Sequence, residues 1–117
     1  MKILLSILAL TLCVAPLADA ARSVTHLALP ERTGEQLYTK YCVSCHGRDG
    51  QAKTQKAKFN HTRNIADREW QDAVSDERIF NSIMNGRNVR GEMPAFSKKI
   101  SEQEGDALVT YVRGLKK

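Results

Sequence analysis

Five consecutive residues, Cys42-Val43-Ser44-Cys45-His46, constrain this chain more than any other feature. Two thiols three positions apart lie on one side of a helical turn, where they can bond two points along one edge of a flat macrocycle. His46 follows at once, so its imidazole can swing beneath the same ring. The spacing is that of covalent haem attachment, with Cys42 and Cys45 as thioether anchors and His46 as proximal iron ligand. A tethered macrocycle also answers a shortage. Only 6% of the chain is aromatic, and a small domain with so modest a core gains from a large apolar insert.

Other readings of the motif are weaker on physical grounds. A disulfide closing only two intervening residues would constrain little of the unfolded chain. A redox-active Cys-x-x-Cys wants a strand-helix-strand context, and no segment here reads as a strand. A zinc site needs four ligands. Cys42, Cys45 and His61 supply three, with His26 or His46 as the fourth, but adjacent Cys45 and His46 suit one tetrahedral ion poorly.

The first twenty residues have the three zones of a secretory leader: Lys2, an apolar run from Ile3 to Leu12, and an Ala18-Asp19-Ala20 cleavage site. Cleavage after Ala20 removes Lys2 and Asp19, one charge of each sign, so the formal +5 is unchanged. The alternative is a retained anchor over residues 3–18. A span needs about 20 apolar residues, however, and Asp19 abuts the run. Cys13 follows Leu12, where a lipidated cysteine wants a small residue, so it reads as an incidental residue of the leader. The expectation is a soluble, exported protein of the bacterial periplasm, with no membrane span once processed.

The remainder of the chain is one small domain, too short for a multidomain enzyme. Residues 21–31 read as a flexible lead-in closed by Pro30, and residues 32–117 as the folded domain. Thr33 and Gln36 make a capping box that predicts a helix from about Gly34 into the Cys42 region, with Leu37, Tyr38, Tyr41 and Cys42 on its apolar face. Gly34 inside that helix costs about 1 kcal/mol relative to Ala, which a close helix–helix contact would justify; the other reading is a frayed first turn. Residues 47–69 show no period and read as a long polar loop with at most one short turn, which needs something to lie against. Ser75 predicts a second helix start, with Ile79, Phe80, Ile83 and Met84 on one face and Asn85-Gly86 as its stop. Residues 87–100 read as a loop. Ser101 and Glu104 make a second capping box, opening a helix to about Arg113 with Ala107, Leu108, Tyr111, Val112 and Leu115 on one stripe. The architecture is all-α: about three helices and two long loops.

A second iron ligand is a choice between two methionines. Met84 stands on an apolar stripe, where its job is packing. Met93 lies in a loop between Gly91 and Pro94, and a following proline restricts it to extended geometry that can aim the thioether; the other reading is an ordinary loop methionine, with the iron five-coordinate or bound to His61. Imidazole and thioether together raise the reduction potential of haem iron.

On these residues the chain resembles class I cytochrome c over residues 33–115. That family packs a small residue and an aromatic of the first helix on an aliphatic and an aromatic of the last. Gly34 and Tyr38 match the first pair, Leu108 and Tyr111 the second. Gly91-Glu92-Met93-Pro94 matches the family's ligand loop. The resemblance implies a cytochrome c fold wrapped around one covalently bound haem c, with Cys42 and Cys45 as attachment sites, His46 as proximal ligand and Met93 as distal ligand. One departure stands out. Residues 47–69 contain no proline of the kind whose carbonyl steadies the proximal imidazole in many members, so another carbonyl of that loop is expected to do so. Trp70 resembles a tryptophan that approaches a haem propionate in some members; simple core packing is its other reading.

The implied function is one-electron carriage between redox partners, the iron cycling between ferrous and ferric states, with no substrate transformed. The alternative is the haem subunit of a redox enzyme, or a gas-binding haem protein with a displaceable Met93. A haem edge is expected near Cys42 and Cys45. Lys53, Lys56, Lys58, Arg87, Arg90, Lys98 and Lys99 make a basic surface suited to acidic docking faces. Export and haem attachment argue against nucleic acid, and a monomer is expected.

Overall fold

The computed structural model describes residues 31–89 and 91–117. The leader, His26 and most of the lead-in lie outside the described residues. Both capping boxes form. Thr33 Oγ1 accepts the Gln36 N–H at 3.2 Å while Gln36 Oε1 accepts the Thr33 N–H at 2.9 Å, and helix α1 runs Gly34–Tyr41. Cys42, with φ −112°, breaks the helix; a four-residue turn, α2, continues over Val43–His46.

At the other end of the chain Ser101 and Glu104 cap each other in the same way. The last helix spans Glu102–Gly114, one residue past the Arg113 expected as its end. Between the two lie three more helices: Gln55–Phe59, Arg68–Ala73 and Asp76–Asn85, numbered α3 to α5, the terminal one being α6.

The described residues thus hold six helices, not about three, and the all-α class stands. The three expected helices are α1, α5 and α6. The additional ones are four to six residues long, too short for an apolar period to show. Two of them carry caps that were there to be read. Thr54 Oγ1 accepts from Ala57 N–H at 3.0 Å, and Asp67 Oδ1 accepts from Trp70 N–H at 2.8 Å. The span expected to be one long loop is therefore a folded excursion with α3 in its middle and α4 starting at its end.

Helices α1 and α6 cross where Gly34 removes a side chain. A Cβ on Gly34 would stand 2.2 Å from the Ala107 carbonyl oxygen and 2.9 Å from Tyr111 Cβ. That absence lets Tyr38 and Tyr111 meet, with ring centroids 4.9 Å apart. Leu37, Tyr38 and Leu108 are the most completely buried side chains, and α5 closes the core with Ile79, Ile83 and Met84. Val109 is buried on α6 as well, whereas Ala107 is only half-buried, so the buried stripe of that helix is set differently from the expected one.

A polar cluster that no periodicity announces joins α4 to α6. The buried Gln71 amide donates to the Ile65 and Val112 carbonyls at 2.7 and 2.9 Å, and its oxygen accepts from Arg113. Arg113 also reaches Asp76 and the Val74 carbonyl. Arg32 makes a second clasp, a bidentate pair with Glu104 at 2.6 and 2.7 Å, plus a bond to the Tyr41 hydroxyl. This holds the segment before α1 to the start of α6. No helix among the described residues is long and apolar enough to cross a membrane.

Candidate haem site

Within α2, backbone bonds from Cys45 and His46 N–H to the Cys42 carbonyl, at 3.1 and 2.9 Å, put both thiols and the imidazole on one turn. The turn is anchored from three sides. Thr54, besides capping α3, directs its hydroxyl at the Ser44 and Cys45 carbonyls, groups that so short a helix leaves without partners. Ala52 N–H donates to the His46 carbonyl at 2.8 Å. The Tyr38 hydroxyl donates to the Gly47 carbonyl at 2.8 Å. Gly47 needs its φ of +77° to turn the chain out of α2, a conformation glycine adopts without strain. Tyr38 therefore links the α1–α6 crossing directly to the residue after His46.

The carbonyl expected to steady the His46 ring is that of Arg63, 3.1 Å from Nδ1. A carbonyl can only accept, so this bond puts the proton on Nδ1 and leaves Nε2 with its lone pair. Burial lowers the pKa of His46, partly opposed by that bond, and so favours the neutral imidazole that metal ligation requires. Burial acts oppositely on the Cys42 thiol, with help from Cys45, and pushes it up to about 12. Cys42 and Cys45 are not bridged, and no group of three or more His, Cys, Asp or Glu among the described residues is placed to hold a metal ion.

Cys42, Cys45 and His46 open onto a cavity of about 1350 Å³. Ordinary small-molecule pockets run roughly 300–1,000 Å³. Its walls include Ile79, Ile83, Leu108 and Val112, side chains that belong to the core itself. A core that leaves this much room among its own apolar residues can take a large apolar insert, and the thiols and imidazole at its wall are the donor set that haem c requires. The residues fit the group.

Met93 and Pro94 line the same cavity. Met84 does not; it is buried on the core face of α5, beneath α6, where a Gly105 Cβ would touch its sulfur. The Met93 loop is fastened at both ends. Arg87 and Met93 exchange backbone hydrogen bonds of 2.9 Å in an isolated antiparallel bridge. Gly86, at φ +73°, is so close to the returning strand of chain that a Cβ would lie 2.5 Å from the Met93 carbonyl oxygen. At its outer turn Gly91 lies flat on the Asn60 backbone, with no space for a side chain. Trp70 is half-buried, packs against the core and lines the cavity. His61 also lines the cavity, in a left-handed conformation with φ +49°.

Sequence reasoning missed Arg63, whose contribution is a backbone atom, and Thr54, whose hydroxyl serves two helices. Only Thr54 left a signal, as a capping residue before Gln55.

A family model described as cytochrome C oxidase, cbb3-type, subunit III, matches residues 30–112. The cbb3-type cytochrome c oxidase subunit FixP of Azorhizobium caulinodans is 27% identical over 106 residues, and that of Bradyrhizobium diazoefficiens 26% over 108. Each alignment takes in 87% of this chain but 34% of the relative, so the chain spans about a third of the length of the curated relatives it matches. Among solved structures, the KustC0563 c-type cytochrome superposes with a TM-score of 0.66 at 40% identity, covering 74% of this chain and all of that one. A tyrosine-to-phenylalanine mutant of it gives 0.63 at 38%, covering 73% of this chain and again all of the other. With the α1–α6 crossing, the Cys-x-x-Cys-His turn and the cavity it faces, the chain belongs to the cbb3-type subunit III family of cytochrome c domains and is an all-α, class I mono-haem c-type cytochrome with covalently bound haem c.

Proposed function

We propose that this cytochrome carries single electrons between redox partners outside the cytoplasm, with Cys42 and Cys45 as the thioether anchors, His46 as proximal ligand and Met93 as distal ligand. The bound haem supplies an iron that alternates between ferrous and ferric states. The chain's task is to keep both ligands still while the charge changes. The observation that carries the reading is the division between the two methionines: Met93 shares the cavity with His46, whereas Met84 is committed to the core.

The surroundings of each ligand support the same task. His46 is steadied through its ring by the Arg63 carbonyl and through its backbone by Ala52. Met93 is steadied through both its backbone groups by Arg87, and Pro94 restricts its conformation. Imidazole with thioether favours the ferrous state and raises the potential. Trp70, at the cavity wall, is the candidate neighbour of a haem propionate.

The leader-like residues 1–20 support export to a periplasm, with residues 21–31 as lead-in and 32–117 as the working domain. The carrier is read as a monomer whose partners present acidic faces. A second reading, the haem subunit of a redox enzyme, is favoured by one observation: the FixP relatives are named as oxidase subunits and extend well beyond the matched region.

The test is an absorption spectrum of the reduced holoprotein before and after carbon monoxide. An unchanged spectrum is expected, because both axial positions are held. A prompt shift would mean an open or labile distal site and would turn the assignment towards ligand binding.

A further inference from the structure

Among the described residues Glu104 is the one charged side chain that the fold buries, at 7% exposure. A carboxylate out of water needs a partner, and Arg32 supplies it from the segment before α1. The Ser101 N–H donates to the same carboxylate at 3.0 Å. The guanidinium does more than pair. It donates to the Lys99 carbonyl and to the Tyr41 hydroxyl, each at 3.1 Å, and its carbon stands 5.8 Å from the centre of the Tyr41 ring.

That ring is the link to the haem site. Tyr41 immediately precedes Cys42, and its ring lies 5.6 Å from that of Phe96. Both side chains line the cavity, as does Leu108, one turn after Glu104 on α6. The ion pair therefore stands directly behind the wall formed by the Tyr41 and Phe96 rings. Through an apolar wall a charge acts over distances at which water would screen it. Paired, the two charges largely cancel at the iron. Alone, the carboxylate favours the ferric state and the guanidinium the ferrous one.

The other charges nearby do not substitute for Arg32. Lys40 lies over the Tyr41 ring and Lys99 over the Phe96 ring, both exposed. Glu102 and Asp106, on α6 itself, are exposed as well. Helix α5 meets this turn of α6 through Phe80 and Met84, which carry no charge. Among the described residues no second ion pair uses Glu104.

We propose that Arg32, by neutralising Glu104 behind the Tyr41–Phe96 wall, keeps the reduction potential of the haem high and independent of the carboxylate. The proposal deepens the electron-carrier reading and rests on it. It gives Arg32 a task in the redox centre beyond fastening the chain to α6. The pair also holds the Glu104 carboxyl down to about 2, so that it takes up no proton near neutrality.

The test is a redox titration of the holoprotein between about pH 4 and pH 8, a range that covers an ordinary carboxyl. Arg32→Met leaves the carboxylate alone and should lower the midpoint potential at neutral pH. The expected change is about tenfold in the ferric–ferrous equilibrium, or about 59 mV for one electron. The gap to wild type should close as pH falls and Glu104 takes up a proton; any pH dependence of the haem itself cancels in that difference. Glu104→Gln should raise the potential by less, because the Arg32 side chain is 35% exposed and water screens it. The double variant, Arg32→Met with Glu104→Gln, should return near the wild-type value at every pH, and Arg32→Lys should keep most of it.

A strut with no electrostatic task would shift both single variants in the same direction and leave the double variant no better than Arg32→Met; either result overturns the proposal. A gap for Arg32→Met that stays constant with pH does so too. If the wild type gives no reversible one-electron couple, the carrier reading fails and this inference fails with it. A reversible couple whose midpoint ignores all of these variants removes the Arg32 assignment alone.

Discussion

Two helical glycines should respond to alanine in opposite directions, and the contrast tests whether the α1–α6 crossing is as tight as the structure indicates. At Gly34 a Cβ would sit 2.2 Å from the Ala107 carbonyl oxygen and 2.9 Å from both Ala107 C and Tyr111 Cβ. The first two atoms are backbone, so no rotamer change relieves the overlap; the helices must separate by about an ångström to reach normal contact near 3.5 Å. Overpacking of this kind costs about 1–3 kcal/mol. The opposing gain in helix propensity is at most about 1 kcal/mol, and smaller at the first helical position. Separation would also loosen Leu37, Tyr38 and Leu108, which are 0–1% exposed, placing the net effect in the upper half of that range. For a domain of this size that is a fall of about 8–24 °C in Tm. At Gly114 nothing stands within 4 Å, so Gly114→Ala should stabilise by up to about 1 kcal/mol. The assay is guanidinium unfolding of the ferric holoprotein followed by far-UV circular dichroism, with the midpoint moving and the slope constant. If Gly34→Ala is as stable as the parent, the close-packing argument is wrong, and equal shifts at both sites would refute it as well.

Three further outcomes are expected. Tyr38→Phe keeps the ring against Tyr111 but removes one of the two donors to the Gly47 carbonyl, leaving the Gly50 N–H at 3.3 Å, and should cost about 0.5–1.5 kcal/mol by denaturant unfolding; an unchanged midpoint would show that the hydroxyl bond adds nothing to stability. The Arg32 guanidinium holds the Glu104 carboxyl down to about 2 from an ordinary 4.5, with the Ser101 N–H assisting. Its contribution to stability is complete above pH 4.5 and disappears as pH falls through about 2. Arg32→Met should therefore narrow the stability gap to wild type as pH drops from 5 to 2, and a gap that stays constant over that window would exclude this linkage. Met93→Ala should make the reduced spectrum respond to carbon monoxide; a variant that stays silent would remove Met93 as the distal ligand.

Much of the fold was legible because its signals are local. Thr33, Ser75 and Ser101 cap the three principal helices from within four residues of sequence, and Gly86 ends α5 with a positive φ as Asn85-Gly86 announced. The short helices α3 and α4 escaped because five or six residues complete too little of a period, although Thr54 and Asp67 mark their starts. The steadying carbonyl for His46 was foreseen as a type of contact and not as a residue. Arg63 is chosen by where the 47–66 excursion returns, with Ile65 N–H bonding the Gly50 carbonyl, and a backbone acceptor carries no side-chain signature.

The sequence by itself determined the chemistry of this protein: a Cys-x-x-Cys-His turn at a helix end, one methionine set before a proline, and a glycine and aromatic spaced to meet a second helix. Those are short-range patterns, dictated by helical geometry and by which residue types bond haem c. Only the tertiary structure decided that Met93 and not Met84 shares the cavity with His46, that Gln71 and Arg113 tie α4 to α6, and that Arg32 meets Glu104. Each of these joins residues far apart in the chain, and such meetings depend on how the helices cross, which local spacing does not encode.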